Sequence, residues 1–347
     1  MSLDEQFMSR CIQLAKLGRG NVAPNPMVGA VIAHEGKIIG EGYHQRFGEA
    51  HAEVNAVKSV KDLDLLSEST IYVSLEPCAH HGKTPPCADL LVEKKFKRVV
   101  IGCRDAHSKV DGKGIQRMLD ANIEVTIGVL EDECRKLNAH FFTFHQKKRP
   151  YVLLKWAETS NGLIDQNGVA GSSPRRTVTW ISVPEVQTLV HKWRAEYQAI
   201  LVGRKTVEND NPSLTVRAVK GNNPTRIVLD SKNVLSKDSA VFNDEAETIV
   251  LNTERDTKEG HINYVQIEDI SPATILSALY EKNIQSVLIE GGRKTLQSFI
   301  DVGLWDEAKV IIGQQTFDNG TKAPELNKQP QTSEEFFGDL IHTYVNL

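Results

Sequence analysis

His51-Ala52-Glu53 and, further along, Glu76-Pro77-Cys78 with Cys87 behind it form the stretch from which the rest of the chain can be read. An imidazole and two thiols are donors that zinc prefers, and a catalytic zinc takes three such ligands while keeping a fourth position for water. His51, Cys78 and Cys87 fill those three positions. Glu53 stands at the start of a helix rich in small and apolar residues (Ala52, Val54, Ala56, Val57), where its carboxylate can approach the metal without binding it. A water acidified by zinc then has a carboxylate beside it that can carry protons to a leaving amine.

The same logic underlies the H-x-E and P-C-x-x-C pattern of zinc deaminases, with one departure: eight residues, Ala79 to Pro86, separate the cysteines where that pattern has two. The insert Ala79-His80-His81-Gly82-Lys83-Thr84-Pro85-Pro86 is polar, basic and proline-rich, which suits a site loop and not a core. Five cysteines, an odd number in a long chain, suit a reducing cytoplasm, where ligand and catalytic roles outweigh a disulfide framework.

Outward from this stretch, helical and strand patterns alternate. Gln6 to Leu17 is amphipathic, and Val28 to Ala33 with Lys37 to Gly42 reads as a hairpin across His34-Glu35-Gly36. Strands are expected at Thr70 to Leu75, Arg98 to Cys103 and Glu124 to Gly128. Helices are expected from near His51, over Cys87 to Lys95, over Gly114 to Ala121 and over Glu131 to His145. Two helix N-termini then converge beside the end of one strand, and their partial positive charge favours thiolate over thiol. The product is a three-layer α/β/α domain over residues 1–147. A basic stretch, Gln146-Lys147-Lys148-Arg149-Pro150, marks the boundary, and a second α/β domain covers residues 148–347.

In that second domain strands are expected at Tyr151 to Trp156, Ala199 to Val202, Arg226 to Asp230, Thr248 to Leu251, Ser286 to Glu290 and Ala308 to Ile312. Helices are expected over Pro184 to Glu196, Thr274 to Lys282 and Thr295 to Asp301. Glu290-Gly291-Gly292-Arg293-Lys294-Thr295-Leu296 follows an apolar strand and opens a helix, so its backbone N–H groups suit an anion. Gly203-Arg204-Lys205-Thr206-Val207 follows another strand, and the polar turn Asp210-Asn211-Pro212-Ser213-Leu214-Thr215 comes next. Two such strand-end loops suit a dinucleotide cleft, although no G-x-G-x-x-G fingerprint is present.

The 347 residues carry a net charge of −4, and residues 1–147 hold 19 basic and 19 acidic side chains, so no face for a nucleic acid is expected. The small basic cluster His80, His81 and Lys83 is sized for one phosphate. No run approaches the roughly 18 apolar residues of a membrane span, and the start Met1-Ser2-Leu3-Asp4-Glu5-Gln6 does not resemble a secretory signal, so the cytoplasm is the expected compartment.

These motifs together resemble the bifunctional deaminase/reductase family of riboflavin biosynthesis, and the resemblance covers nearly the whole chain. It rests on Pro24-Asn25-Pro26-Met27-Val28-Gly29, on Gly42-Tyr43-His44 through His51-Ala52-Glu53, and on Glu76 to Cys87, whose long cysteine spacing is the family's own. In the second half it rests on Lys155-Trp156-Ala157, Thr179-Trp180-Ile181-Ser182, Arg194-Ala195, Gly203 to Arg217, Leu229-Asp230-Ser231 and Glu290-Gly291-Gly292. The resemblance implies a cytidine-deaminase-like domain followed by a dihydrofolate-reductase-like domain, with zinc in the first and NADPH in the second. It implies deamination of a diaminopyrimidinone ribosylamine 5′-phosphate, with Glu53 as proton carrier, and then reduction of the sugar to a ribityl chain.

By the same resemblance Asn25, His44, His81 and Lys83 face the deaminase substrate. Ala157, Trp180, Thr206, Asp210, Ser231 and the turn Gly292, Arg293, Lys294, Thr295, Leu296, Gln297 and Ser298 face NADPH. Arg194, Leu214, Arg217 and Glu290 face the reductase substrate, the two arginines as forks for phosphate. A homodimer or homotetramer is expected. The chain departs from the family at Ala23, at Asp105-Ala106-His107-Ser108, and at Val178 in place of a serine, where Arg175 or Arg176 could take the phosphate contact. Two other readings compete: a deaminase of another free or nucleic-acid base with an inactive reductase-like domain, and a module stabilised by a closed four-ligand zinc, which His80 or Cys103 would have to complete.

Overall fold

Strands in the first part of the chain alternate two sets of apolar residues, and in the computed structural model each set meets its own layer of helices. The structure describes residues 1–79, 85–106, 112–166 and 180–346. The chain divides into one unit spanning Met1–Lys147 and a second spanning Lys148–Leu347. In order, the first unit contains α1 (Leu3–Ala15), β1 (Gly29–His34), β2 (Lys37–Tyr43), α2 (Ala52–Ser59), β3 (Thr70–Leu75), α3 (Cys87–Glu93), β4 (Arg98–Cys103), α4 (Lys113–Asp120), β5 (Glu124–Ile127), α5 (Glu131–Leu137) and α6 (Ala139–Lys147).

Its sheet runs β2-β1-β3-β4-β5, antiparallel across the first three strands and parallel across the last three. Ala30, Ile32, Ile71 and Val73 pack with Ala56 of α2, Leu91 of α3 and Met118 of α4. Val31, Ala33, Tyr72 and Val100 pack with Met8 and Cys11 of α1 and Leu137 of α5. Burial on both faces is why β1, β3 and β4 read as unbroken apolar runs. The close seat of α2 on β2 depends on Gly42, where a Cβ would lie 2.3 Å from the Ala56 nitrogen.

The single helix expected over Glu131 to His145 is instead two, α5 and α6, parted at Asn138. The cause is local. The buried Asn138 amide accepts the Met27 N–H at 2.8 Å and donates to the Met27 carbonyl at 2.9 Å, pinning the segment that carries Asn25.

The second unit contains β6 (Tyr151–Thr159), β7 (Leu163–Asp165), α7 (Pro184–Glu196), β8 (Ala199–Gly203), α8 (Arg204–Asp210), β9 (Thr225–Leu229), β10 (Thr248–Asn252), β11 (Thr257–Glu259), β12 (Ile262–Gln266), α9 (Pro272–Glu281), β13 (Ser286–Gly291), α10 (Arg293–Asp301), β14 (Glu307–Gly313), β15 (Thr321–Lys322), β16 (Thr332–Phe336) and β17 (Asp339–Val345). A ten-stranded sheet runs β11-β12-β10-β9-β8-β13-β6-β14-β17-β16. The strands from β12 to β14 in this order are parallel, and antiparallel strands close both edges. Leu154, Leu201, Ile227 and Ile289 bury against Ile275 and Leu279 of α9 and Phe299 of α10. On the alternate positions Leu153, Val202, Val228 and Leu288 bury with Val207 of α8 and with Leu214.

Arg204 to Val207, expected as part of a loop, forms the first half of α8. Glu208 is ion-paired to Arg204 at 3.2 Å and to Lys205 at 2.7 Å, at helical spacing. Among the described residues no helix is long and apolar enough to cross a membrane.

Candidate active site

His51 caps α2 from an extended conformation, Cys78 follows the end of β3, and Cys87 is the first residue of α3 behind Pro86. The imidazole and both sulfurs therefore meet where two helices begin and one strand ends. His51 Nδ1 lies 3.6 Å from Cys78 Sγ and 3.3 Å from Cys87 Sγ, and the three candidate ligand atoms all fall within 4.8 Å of one another. The Cys87 N–H donates to Cys78 Sγ at 3.3 Å, so backbone supports the sulfur as well.

The Cys87 side chain holds the Cys78 thiol down at about 4 against the effect of burial, and His51 adds to the pull. Cys87 keeps its proton, pushed well above its ordinary value by the same contact and by burial. An imidazole and two neighbouring cysteine sulfurs, one of them, Cys78, readily a thiolate, fit zinc in size and softness. Among the described residues no other group of this kind exists. Cys103, which a closed shell would need, belongs to the core on the opposite face of the sheet and donates to the Ser74 carbonyl at 3.5 Å. His80 lies outside the described residues, as do His81 and Lys83.

Glu53, in the first turn of α2, is 3% exposed. Burial, reinforced by the charge of Cys78, raises its carboxyl above the ordinary range. His44 and Asn25 come together: the Asn25 amide donates to His44 Nε2 at 3.1 Å, so Nδ1 carries the proton and donates it to the Ala50 carbonyl at 3.1 Å. The same carbonyl receives Asn55 at 3.3 Å, and Asn55 also donates to the Tyr43 carbonyl at 2.8 Å, closing the loop between β2 and α2. The His44 and His51 rings meet edge to face with centroids 5.3 Å apart. Burial lowers the His44 pKa and keeps that ring neutral.

In the second unit the residues expected to meet a cofactor, Trp180 apart, lie near or just past the C-terminal ends of four adjacent parallel strands, where open α/β sheets bind ligands. Ala157 lies on β6, Gly292 to Ser298 follow β13, Thr206 and Asp210 lie on α8 behind β8, and Ser231 follows β9. The turns after β8 and β13 face each other closely. A Cβ on Gly203 would come 2.8 Å from Thr295 Oγ1, and one on Gly292 would come 3.3 Å from Thr206 Oγ1. Such a glycine-lined cradle fits the close approach of a phosphate-bearing cofactor to backbone.

Further along α10, Leu296 turns into the core, Gln297 bonds Asp301 and the backbone of Glu325, and Ser298 donates to the Thr295 carbonyl at 2.7 Å. Arg293 bonds the Ala323 carbonyl at 3.3 Å. Trp180 is exposed, and its carbonyl accepts the Gln315 amide. Arg175, Arg176 and Val178 lie outside the described residues.

Arg194 is not an open fork for phosphate. Its guanidinium is paired to Glu290 through two hydrogen bonds of 2.8 and 2.7 Å, and Lys155 Nζ stands 3.9 Å from the same carboxylate. Burial alone would raise the Glu290 carboxyl, but the charges of Arg194 and then Lys155 outweigh it and hold it at about 2. Arg217 is the exposed guanidinium of this corner, resting on the hydroxyls of Ser213 and Thr215. Leu214 is buried between them in the chain with a φ of 55°.

Two groups here carry no assigned role in the sequence. Lys155 left a signal, a lone charge within the apolar run Val152 to Trp156. His191 left none, because a histidine in an amphipathic helix reads as surface.

Comparison with known proteins agrees with both halves. Residues 1–103 match the cytidine and deoxycytidylate deaminase zinc-binding region, and residues 150–322 match the RibD C-terminal domain. The riboflavin biosynthesis protein RibD of Aquifex aeolicus is 38% identical over 93% of this chain and 90% of its own, and that of Escherichia coli K12 is 32% identical over 98% and 96%. The structure of a diaminohydroxyphosphoribosylaminopyrimidine deaminase/5-amino-6-(5-phosphoribosylamino)uracil reductase from Thermotoga maritima has a TM-score of 0.89 at 40% identity, covering 99% of both chains. Acinetobacter baumannii RibD has a TM-score of 0.88 at 31% identity, again over 99% of each. With two catalytic units in one order, and relatives that match from end to end, this chain belongs to the RibD family of riboflavin biosynthesis proteins.

Proposed function

We propose that the chain performs two successive reactions on one phosphorylated pyrimidine: hydrolytic removal of a ring amino group in the first unit, then NADPH-dependent reduction of the ribosyl group of 5-amino-6-(5-phosphoribosylamino)uracil in the second. The observation that carries this reading is the meeting of His51, Cys78 and Cys87 with the buried Glu53 on the adjoining helix turn. Zinc, when bound, supplies Lewis acidity that brings the pKa of a water toward neutrality.

The residues divide the remaining work. Glu53, with a carboxyl that holds a proton more readily than one in water, takes the proton of the attacking water and returns it to the departing ammonia. Asn25, whose NH2 is engaged by His44, presents its carbonyl oxygen to the pyrimidine edge. His81 and Lys83 receive the phosphate. The near-neutral charge of the chain favours this small substrate over a nucleic acid.

NADPH, when bound, supplies the hydride for the opened sugar. The turn beginning at Gly292, with Thr206, Asp210, Ser231, Ala157 and Trp180, orients that cofactor along the strand ends. Arg217 receives the substrate phosphate, and Leu214 bounds the ring. Glu290, fixed by Arg194, holds a constant negative charge beside Lys155, whose buried ammonium can release a proton to the reduced product. The chain works in the cytoplasm as a homodimer or homotetramer.

A two-stage assay tests the reading: ammonia release from the diaminopyrimidine substrate, then loss of NADPH absorbance. Ammonia without NADPH consumption would leave a deaminase alone, and no ammonia would remove the first assignment.

A further inference from the structure

Helix α7 carries two polar side chains one turn apart, and each holds a different part of the second unit's site. Arg194 grips Glu290 of β13. His191, on the same face, accepts the backbone N–H of Arg217 on Nδ1 at 3.0 Å. The ring is 9% exposed, and Arg194 of its own helix, Arg217, Glu290 and Lys155 are the charged groups around it. An accepting Nδ1 places the proton on Nε2, so the ring is neutral and in one tautomer. No step described above uses it.

The segment Asn211 to Arg217 lies outside helices and strands, and its backbone is held by side chains that reach in from elsewhere. Asn223 takes the Val216 N–H at 2.8 Å, Arg226 donates to the Ser213 carbonyl at 3.5 Å, and Arg194 donates to the Thr215 carbonyl at 3.4 Å. The bond that Arg217 donates to His191 anchors its own backbone nitrogen, next to the Cα that carries the guanidinium. Without it, Arg217 would depend on the neighbouring bond from Val216 to Asn223 and on the contacts of its own guanidinium with Ser213 and Thr215. Recognition of a phosphate by a planar fork depends on the direction of approach, so an anchor at that Cα bears on substrate affinity.

We propose that His191 is a positioning residue for the reductase step: its neutral ring fixes the Arg217 backbone, and thereby the guanidinium that meets the substrate phosphate. This rests on the reading that Arg217 contacts that phosphate. The two are separable by steady-state kinetics of the full-length chain with 5-amino-6-(5-phosphoribosylamino)uracil and NADPH, comparing His191→Leu, His191→Asn and Arg217→Gln.

His191→Leu is expected to raise KM for the uracil substrate about fivefold, the loss of one hydrogen bond, with kcat and KM for NADPH held within about twofold. His191→Asn offers an oxygen near the Nδ1 position and restores most of that affinity. If Arg217→Gln leaves KM for the uracil unchanged, the phosphate reading itself fails. If Arg217→Gln raises KM while His191→Leu does not, or if asparagine rescues nothing, the positioning role is overturned. An equal rise in KM for NADPH would also overturn it, because the ring would then support the unit at large.

Discussion

The carboxylate of Glu76, just past the end of β3, receives the backbone N–H of Gly112 at 3.2 Å. It also takes the N–H of Asp105 at 3.3 Å and of Ile115 at 3.5 Å, so a side chain just before Pro77-Cys78 ties the exit of β4 to the start of α4. Glu76→Gln puts an NH2 where N–H donors converge. The first unit should lose about 1–3 kcal/mol of stability, the cost of unsatisfied buried donors. Thermal denaturation with and without zinc would read this, and an unchanged midpoint would remove the tie.

Glu53→Gln keeps the shape of the side chain and abolishes its proton chemistry. Ammonia release should fall about 10²–10⁴-fold, the usual range for a lost general acid–base group. Zinc content, measured by elemental analysis, should stay at the native level. Zinc lost together with activity would make Glu53 a ligand and not a carrier.

Gly42→Ala forces a Cβ to within 2.3 Å of the Ala56 backbone nitrogen, so α2 must move. Overpacking of this kind costs about 1–3 kcal/mol, and here it displaces His51 and Glu53 together. Deaminase turnover should drop while reduction of the authentic uracil substrate persists. Equal loss of both reactions would contradict the local account.

Arg194→Leu leaves Glu290 buried with Lys155 as its remaining cation, and should cost about 3–5 kcal/mol, as for a broken buried ion pair. The pH dependence has a definite sign. In the native chain the Glu290 carboxyl lies at about 2, below the ordinary 4.5, so its contribution is complete above 4.5 and is lost as pH falls from there toward 2. In the variant the carboxyl keeps only the more distant Lys155 of these two cations and takes up its proton at higher pH than in the native chain, so the stability gap between the two proteins should narrow as pH falls from 7 to 4. All four tryptophans, Trp156, Trp180, Trp193 and Trp305, lie in the second unit, so intrinsic fluorescence during urea unfolding reports on that unit alone. A gap that widens in acid would refute the assignment.

What could be read beforehand follows from how locally each feature is encoded. The β1–β2 hairpin, β3 and β4 are written in contiguous apolar runs, the helix starts near His51 and Cys87 in the local pattern that follows each, and the zinc set is legible because its donor types are rare together. The break at Asn138 was not visible, since it depends on a bond to Met27, far away in sequence. Strands β7, β11 and β15 are too short to carry periodicity, and β16 (Thr332–Phe336) is mostly exposed, so it alternates nothing. In the second site the types of residue were legible and their pairing was not: Arg194 reads as a phosphate fork until Glu290 is seen to occupy it.

The order of strands in the larger sheet bears on how the protein is made. β6 opens the second unit in sequence but lies between β13 and β14 in space, two partners that emerge much later from the ribosome. The first unit, by contrast, has its whole sheet by Ile127. During synthesis the apolar segment Tyr151–Trp156 must therefore wait unpaired behind an already folded neighbour, and its exposure then ends with late, long-range closure. Truncation before β13 should leave an intact first unit followed by an apolar strand without its two sheet partners.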